Sequence, residues 1–287
     1  GPRTLVVATG QQVGLFGGPA YTLYKALTAA RLARALTDRG LPSVAVFWMA
    51  TEDHDLAEVS RAWVFDAANQ PVKIEAGSGG VSQQPVGPVP IGPGPLDALR
   101  RALEGLPFAG EVLGLAEQAY EPGRSYGAAF HALLSRLLSA YGVLFLDPLR
   151  PALRRLPAPL LAGALKKIPG LVRQVIARSL ELEARGYHAQ VRVDETSSLL
   201  FVLEDGRRLP LRLGNGAAAE GPAPERLSPN ALLRPVVQNY IMPVVAAVMG
   251  PAEVSYLAQA EVLHRELLGR MPVIVPRASF SLMDARS

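Results

Sequence analysis

The fold is decided by residues 4–50, read as TLVVA (4–8), TGQQVGLFGGP (9–19), a helix-patterned stretch over 20–39, and SVAVFWMA (43–50). The two apolar runs are rich in β-branched residues and nearly unbroken, as strands covered on both faces are. Between them Leu23, Ala26, Leu27, Ala30 and Leu36 recur at helical spacing. Pro19 suits the first turn of that helix, and Gly40 and Pro42 end it. Strand, helix and strand in this order predict a parallel βαβ unit.

Further out, VLFLD (143–147) and residues 273–276 repeat the buried-strand signal. Helical spacing predicts helices over 96–104, 112–120, 126–141, 171–185 and 253–268. Short strands are expected at 72–74, at 191–193, and at 199–203 and 209–213 around the turn Asp205-Gly206. Residues 69–95 and 214–229 read as Gly/Pro-rich loops, 148–159 break the pattern, and 239–248 stay ambiguous between helix and strand. The predicted class is α/β with insertions.

Composition limits the function. The 287 residues are 49% hydrophobic and 19% charged, enough for a sizeable core, and 27 glycines with 25 prolines fall short of a disordered composition. The formal charge of +4 permits anionic ligands. Without a dense Lys/Arg run, and with aromatics at 6%, no nucleic-acid partner is expected. There is no cysteine, which excludes disulfides, thiolate metal sites and cysteine nucleophiles. No apolar run reaches the roughly 20 residues of a membrane span. A cytoplasmic protein with no membrane partner is the expectation.

In open α/β sheets ligands sit beyond the carboxyl ends of the strands, so the polar residues there are the candidates. Gly10, Gln11, Gln12, Gly14, Gly17 and Gly18 form the loop after the first strand. Glycines let backbone approach a ligand, and a helix N-terminus attracts anions. The spacing matches neither a dinucleotide fingerprint nor a P-loop. A ligand loop and a tight packing turn are both open. Lys25 is either an anion ligand or a solvated helix lysine. After the second strand, Thr51-Glu52-Asp53-His54-Asp55 groups three acids and a histidine, suited to base chemistry, amine binding, a divalent metal or plain helix capping. Asn230 with Arg234, Glu253 at a helix start, and Arg277 with Ser279 complete the set. Arginine is a natural clamp for carboxylate or phosphate. Metal ligands stay unassigned, and no G-x-S-x-G elbow is present.

The segments TGQQVGLFGGPAYTLYKALTAARLA, VFWMATEDHD, GYHAQV, LSPNALLRPVVQ, GPAEVSYLAQ and MPVIVPRASFSL together resemble the family of the bacillithiol biosynthesis cysteine-adding enzyme, BshC. The resemblance covers nearly the whole chain and is least informative over 69–95. It implies a Rossmann-like, nucleotidyl-transferase-like parallel sheet with connecting-peptide insertions. The expected division is core over 1–66, insertion 67–125, core 126–194, a short β-rich insertion 195–227, and core 228–287.

The activity implied is a ligase joining cysteine to glucosaminyl-malate as an amide, with ATP as expected activator and Mg²⁺ as a candidate companion. Asp53, His54 or Asp55 would orient the amine and take its proton. Gly10 to Gly18 would cradle an anion, and Lys25, Arg234 and Arg277 would hold phosphate or carboxylate. A non-catalytic nucleotide- or sugar-binding module and an aminoacyl-adenylate-forming nucleotidyl transferase are the alternatives. The resemblance also implies a homodimer formed through a C-terminal coiled coil. That coiled coil is expected to be missing from this chain, with weaker dimerisation and doubtful full activity as consequences.

Overall fold

The computed structural model describes residues 1, 3–77, 79–211 and 221–281. In chain order the elements are β1 (Leu5–Gln11), α1 (Tyr21–Thr37), β2 (Ser43–Met49), α2 (Leu56–Val59), β3 (Arg61–Phe65), β4 (Pro71–Glu75), α3 (Gly94–Ala102), α4 (Ala109–Ala119), α5 (Tyr126–Leu138), β5 (Leu144–Leu146), α6 (Pro151–Arg155), α7 (Ala158–Ala184), β6 (Leu200–Glu204), β7 (Arg207–Pro210), β8 (Leu227–Pro229), α8 (Arg234–Ile241), β9 (Val244–Met249), α9 (Pro251–Leu268) and β10 (Val273–Pro276).

Five strands form one parallel sheet in the order β10-β9-β1-β2-β5. This is the Rossmann-like α/β sheet expected from the βαβ reading. β1 and β2 pair in unbroken register from Leu5↔Ser43 to Gln11↔Met49. From β1 the chain first builds towards β5, then returns to build β9 and β10 on the other side. The connections therefore diverge between β1 and β9, and such a switch point opens a crevice at the carboxyl ends.

Strand alternation splits the core. Val7, Ala45 and Val248 pack against Ala29 and Ala33 of α1. Phe47 meets Phe130 of α5, with ring centroids 5.9 Å apart. On the other face Trp48, Ala247 and Met249 join α7, α8 and α9. Full burial of a side chain such as Phe47 contributes about 2–3 kcal/mol.

Two additions rise beside the sheet. Between β2 and β5 lie the β3–β4 hairpin, α3 and α4. Between β5 and β9 the antiparallel strands β7-β6-β8 stand as a small sheet. Helix α7 is longer than the expected 171–185 and runs through Pro169. Proline removes one helix hydrogen bond, yet Leu161, Ala164, Ile168, Leu171, Val172 and Val175 make a continuous buried stripe across it. The ambiguous stretch 239–248 divides at Pro243, with α8 before it and β9 after it. The strand expected at 191–193 is absent. Of the one expected at 209–213, the paired part is Arg207–Pro210, while residues 212 and 213, with 214–220 of the following loop, lie outside the described residues.

Candidate functional site

A cavity of about 840 Å³ opens over the carboxyl ends of β1, β2, β9 and β10. That size suits a small-molecule ligand. Its floor is the end of β1. Gly10 must be glycine there, because a Cβ would lie 2.7 Å from the Trp48 carbonyl oxygen on the neighbouring strand. Gly10→Ala is expected to cost about 2 kcal/mol by overpacking. A urea unfolding midpoint equal to that of the unaltered chain would overturn this.

One wall is acidic. The turn after β2 is held by Asp53 N–H donating to Ala50 at 3.2 Å, and by Val86 and Gly87 N–H donating to the Asp53 and Thr51 carbonyls. It thus presents Glu52 and Asp53 to the cavity, and Glu58 of α2 joins them. The Gln12 amide nitrogen donates to Asp53 Oδ2 at 2.7 Å and to Glu58 Oε2 at 2.8 Å. One neutral donor therefore bridges two carboxylates. Tyr21 lies beside this wall; burial first, then Glu58 and Glu253, push its phenol pKa up.

A second part of the lining is cationic. Lys25 is only 1% exposed, and its Nζ lies 2.6 Å from Glu253 Oε2 and 2.9 Å from Gln11 Oε1. Burial pulls the Lys25 pKa down, and the Glu253 carboxylate opposes that. Glu253 also accepts the Gly250 N–H at 2.7 Å, closing the N-terminus of α9. Arg234 donates to the Tyr256 hydroxyl at 2.7 Å, and Arg277 lies over the Tyr21 ring at 5.2 Å. Asn230 lines the cavity while its Oδ1 accepts from Leu232 and Leu233 N–H at the start of α8.

The structure thus brings together Gly10, Gln11, Gln12, Lys25, Asp53, Asn230, Arg234, Glu253 and Arg277 around one cavity. The rest of the glycine loop turns away from it. Gly17 and Gly18 take φ of 87° and 71° in a tight turn, and Gly17 N–H donates to the buried Tyr120 hydroxyl. A Cβ on Gly14 would meet Gly18 Cα at 2.9 Å. Gly14, Gly17 and Gly18 are therefore packing glycines, and of this loop only residues 10–12 line the cavity. Asp55 is exposed and caps α2 through the Glu58 N–H, and Ser279 is exposed beyond β10. His54 sits behind the acidic wall, against Arg208.

Sequence reasoning passed over Tyr21, Trp48, Glu58, Phe201, Arg208 and Tyr256. Arg208 had a signal. An arginine pair directly after a two-residue turn puts one guanidinium on each face of a hairpin, and here Arg207 is exposed and Arg208 buried.

An open parallel sheet with a ligand-sized cavity at its switch point, walled by both signs of charge, defines a Rossmann-like small-molecule-binding protein. The model for "Bacillithiol biosynthesis BshC, N-terminal Rossmann-like domain" matches residues 1–219 and 216–278, and the chain belongs to this family. It is similar to the "Putative cysteine ligase BshC" of Solibacter usitatus, at 47% identity over all of this chain and 56% of the relative. The proteins of that name from Koribacter versatilis and Salinibacter ruber are each 36% identical, over 98% and 99% of this chain and 55% and 56% of theirs. The chain thus spans about half the length of these relatives. Among the described residues no helix is long and apolar enough to cross a membrane.

Proposed function

We propose that the protein carries the catalytic core of a cysteine ligase that joins cysteine to glucosaminyl-malate. The observation that carries this reading is the juxtaposition, in one cavity, of an acidic wall suited to an amine and a cationic wall suited to anions. The bond formed is an amide between the cysteine carboxyl carbon and the sugar amine. The activated carboxyl loses its leaving group, and the amine gives up a proton.

Asp53 and Glu58 orient the neutral amine in place of the Gln12 amide, and Asp53 takes the one proton that the amine loses as the amide forms. Lys25, Arg234 and Arg277 hold the malate carboxylates and the nucleotide phosphates. ATP, when bound, supplies the carboxyl activation. Mg²⁺ is expected to arrive with those phosphates, because among the described residues no three His, Asp or Glu side chains are grouped to hold a metal ion. A homodimer belongs to the same proposal.

Mass spectrometry of the chain with glucosaminyl-malate, cysteine and ATP tests it: new amide product is expected. Ligand binding without product would favour the non-catalytic module, and pyrophosphate exchange dependent on an amino acid alone would favour an adenylate-forming transferase. Asp53→Asn is expected to lower the product rate about 100-fold, the usual weight of a positioned base. A rate equal to that of the unaltered chain would remove Asp53 from the reaction.

A further inference from the structure

Arg208 reaches the acidic turn from outside the parallel sheet. It stands on β7, and its own backbone N–H donates to the Gln83 carbonyl at 2.7 Å, so both insertions meet at this residue. Only 8% exposed, its guanidinium is fixed on several sides. Nε donates to Ser228 Oγ at 3.0 Å, and one terminal nitrogen donates to the Pro229 carbonyl at 2.7 Å. The plane lies over the Phe201 ring at 3.9 Å. The Ser228 hydroxyl in turn donates to Glu52 in a close contact. The remaining terminal nitrogen lies 3.1 Å from His54 Nδ1 and 3.9 Å from Asp53 Oδ1.

Arginine keeps its proton throughout the accessible pH range and has no acceptor. Its contact with His54 Nδ1 therefore has one sense: the guanidinium donates and Nδ1 accepts. An imidazole whose Nδ1 lone pair is taken carries its proton on Nε2 and is neutral. The groups facing the ring agree. Burial and Arg208 lower the His54 pKa, against Asp53 and Asp55 on its own segment. From β6 the ring meets Phe201, which brings no charge.

We infer that Arg208 is a positioning residue that holds His54 as the neutral tautomer protonated on Nε2, which leaves the ring a hydrogen-bond donor and not a base. Its meaning for the reaction rests on the ligase reading, in which the proton then goes to Asp53. The tautomer itself does not depend on that reading.

The test is ¹⁵N NMR of histidine-labelled, substrate-free protein, with the His54 signals identified by their loss in His54→Gln. At pH 7 the unaltered chain is expected to show a bare Nδ1 and a protonated Nε2. In Arg208→Met the ring is expected to exchange between tautomers and to titrate at higher pH. A proton on Nδ1 in the unaltered chain overturns the inference, and so does an unchanged ring in folded Arg208→Met. Should that variant not fold, the tautomer of the unaltered chain still decides. Loss of ligase activity with the tautomer as expected would count against the proposed function and leave this inference standing.

Discussion

Replacing Lys25 with methionine is expected to lower the unfolding free energy by about 3 kcal/mol, near the low end for breaking a buried ion pair from one side. Lys25 is 1% exposed and its partner Glu253 19%, so the carboxylate left behind keeps little water. Glu253 retains the Gly250 N–H and the N-terminus of α9, which offset part of the loss. Gln11 Oε1 also loses its donor. The cost lies mainly in the stranded charge, so a second change should relieve it. Lys25→Met with Glu253→Gln is expected to regain most of the stability in urea unfolding. If the double variant is as unstable as the sum of the two single ones, the charge account is wrong and packing of the lysine stem carries the effect. Both variants should also weaken binding of a carboxylate or phosphate, because Lys25 lines the cavity.

The parallel core was legible because its central strands are buried on both faces, while β5 and β10, expected as buried strands too, lie at the sheet edges with Leu144 and Val273 exposed. β1, β2 and β10 are apolar runs punctuated by glycine and proline, and they lie where those runs predict. Elements stabilised by something other than their own pattern were not legible. The segment at 191–193 looks like a strand and is not paired as one. Instead the Gln259 side chain of α9 accepts from Val191 N–H and donates to the Val191 carbonyl, both at 2.9 Å. A side-chain amide there does what a neighbouring strand would do, and nothing local in the sequence announces it. β3 was missed for another reason. Its alternation leaves Arg61, Trp63 and Phe65 exposed, with only Ala62 and Val64 turned inward, so the apolar signal of a core strand is weak.

The site divides along the same line. Strand-end position singled out Gly10, Gln11, Gln12, Asp53 and Arg277 without knowledge of any contact, because ligands collect at that edge of the sheet. The same rule overreached into Gly14, Gly17 and Gly18. Their glycine serves a turn with positive φ and a close Gly14–Gly18 approach. Lys25 was visible only as one of two equal readings. Its burial depends on Glu253, 228 positions along the chain, which no local spacing reveals. Arg208 and Phe201 come from a separate small sheet, so their convergence on Asp53 and His54 is tertiary information.

The second large effect concerns pH and lies away from the cavity. His264 on α9 is fully buried, its Nδ1 lies 3.4 Å from the Asn239 amide nitrogen, and its Nε2 has no partner among the described residues. Burial pushes its pKa from 6.5 down to about 4. In the unfolded chain the ring is solvated and takes up a proton as pH falls through 6.5. The folded ring stays neutral until about pH 4. Across that window only the unfolded state binds the proton, so acid favours unfolding, and below it both states are protonated and the loss levels off. The gap corresponds to about 3 kcal/mol. His264→Asn keeps an oxygen acceptor near the Nδ1 position and removes the titration. It should be less stable than the unaltered chain at pH 7, because a smaller side chain leaves a void. Its stability should nevertheless fall less steeply between pH 7 and pH 4, so the two curves converge or cross in acid. Parallel urea-unfolding curves over that range would mean that the ring is protonated in the folded chain or finds a partner there, and His264 would carry no part of the acid sensitivity.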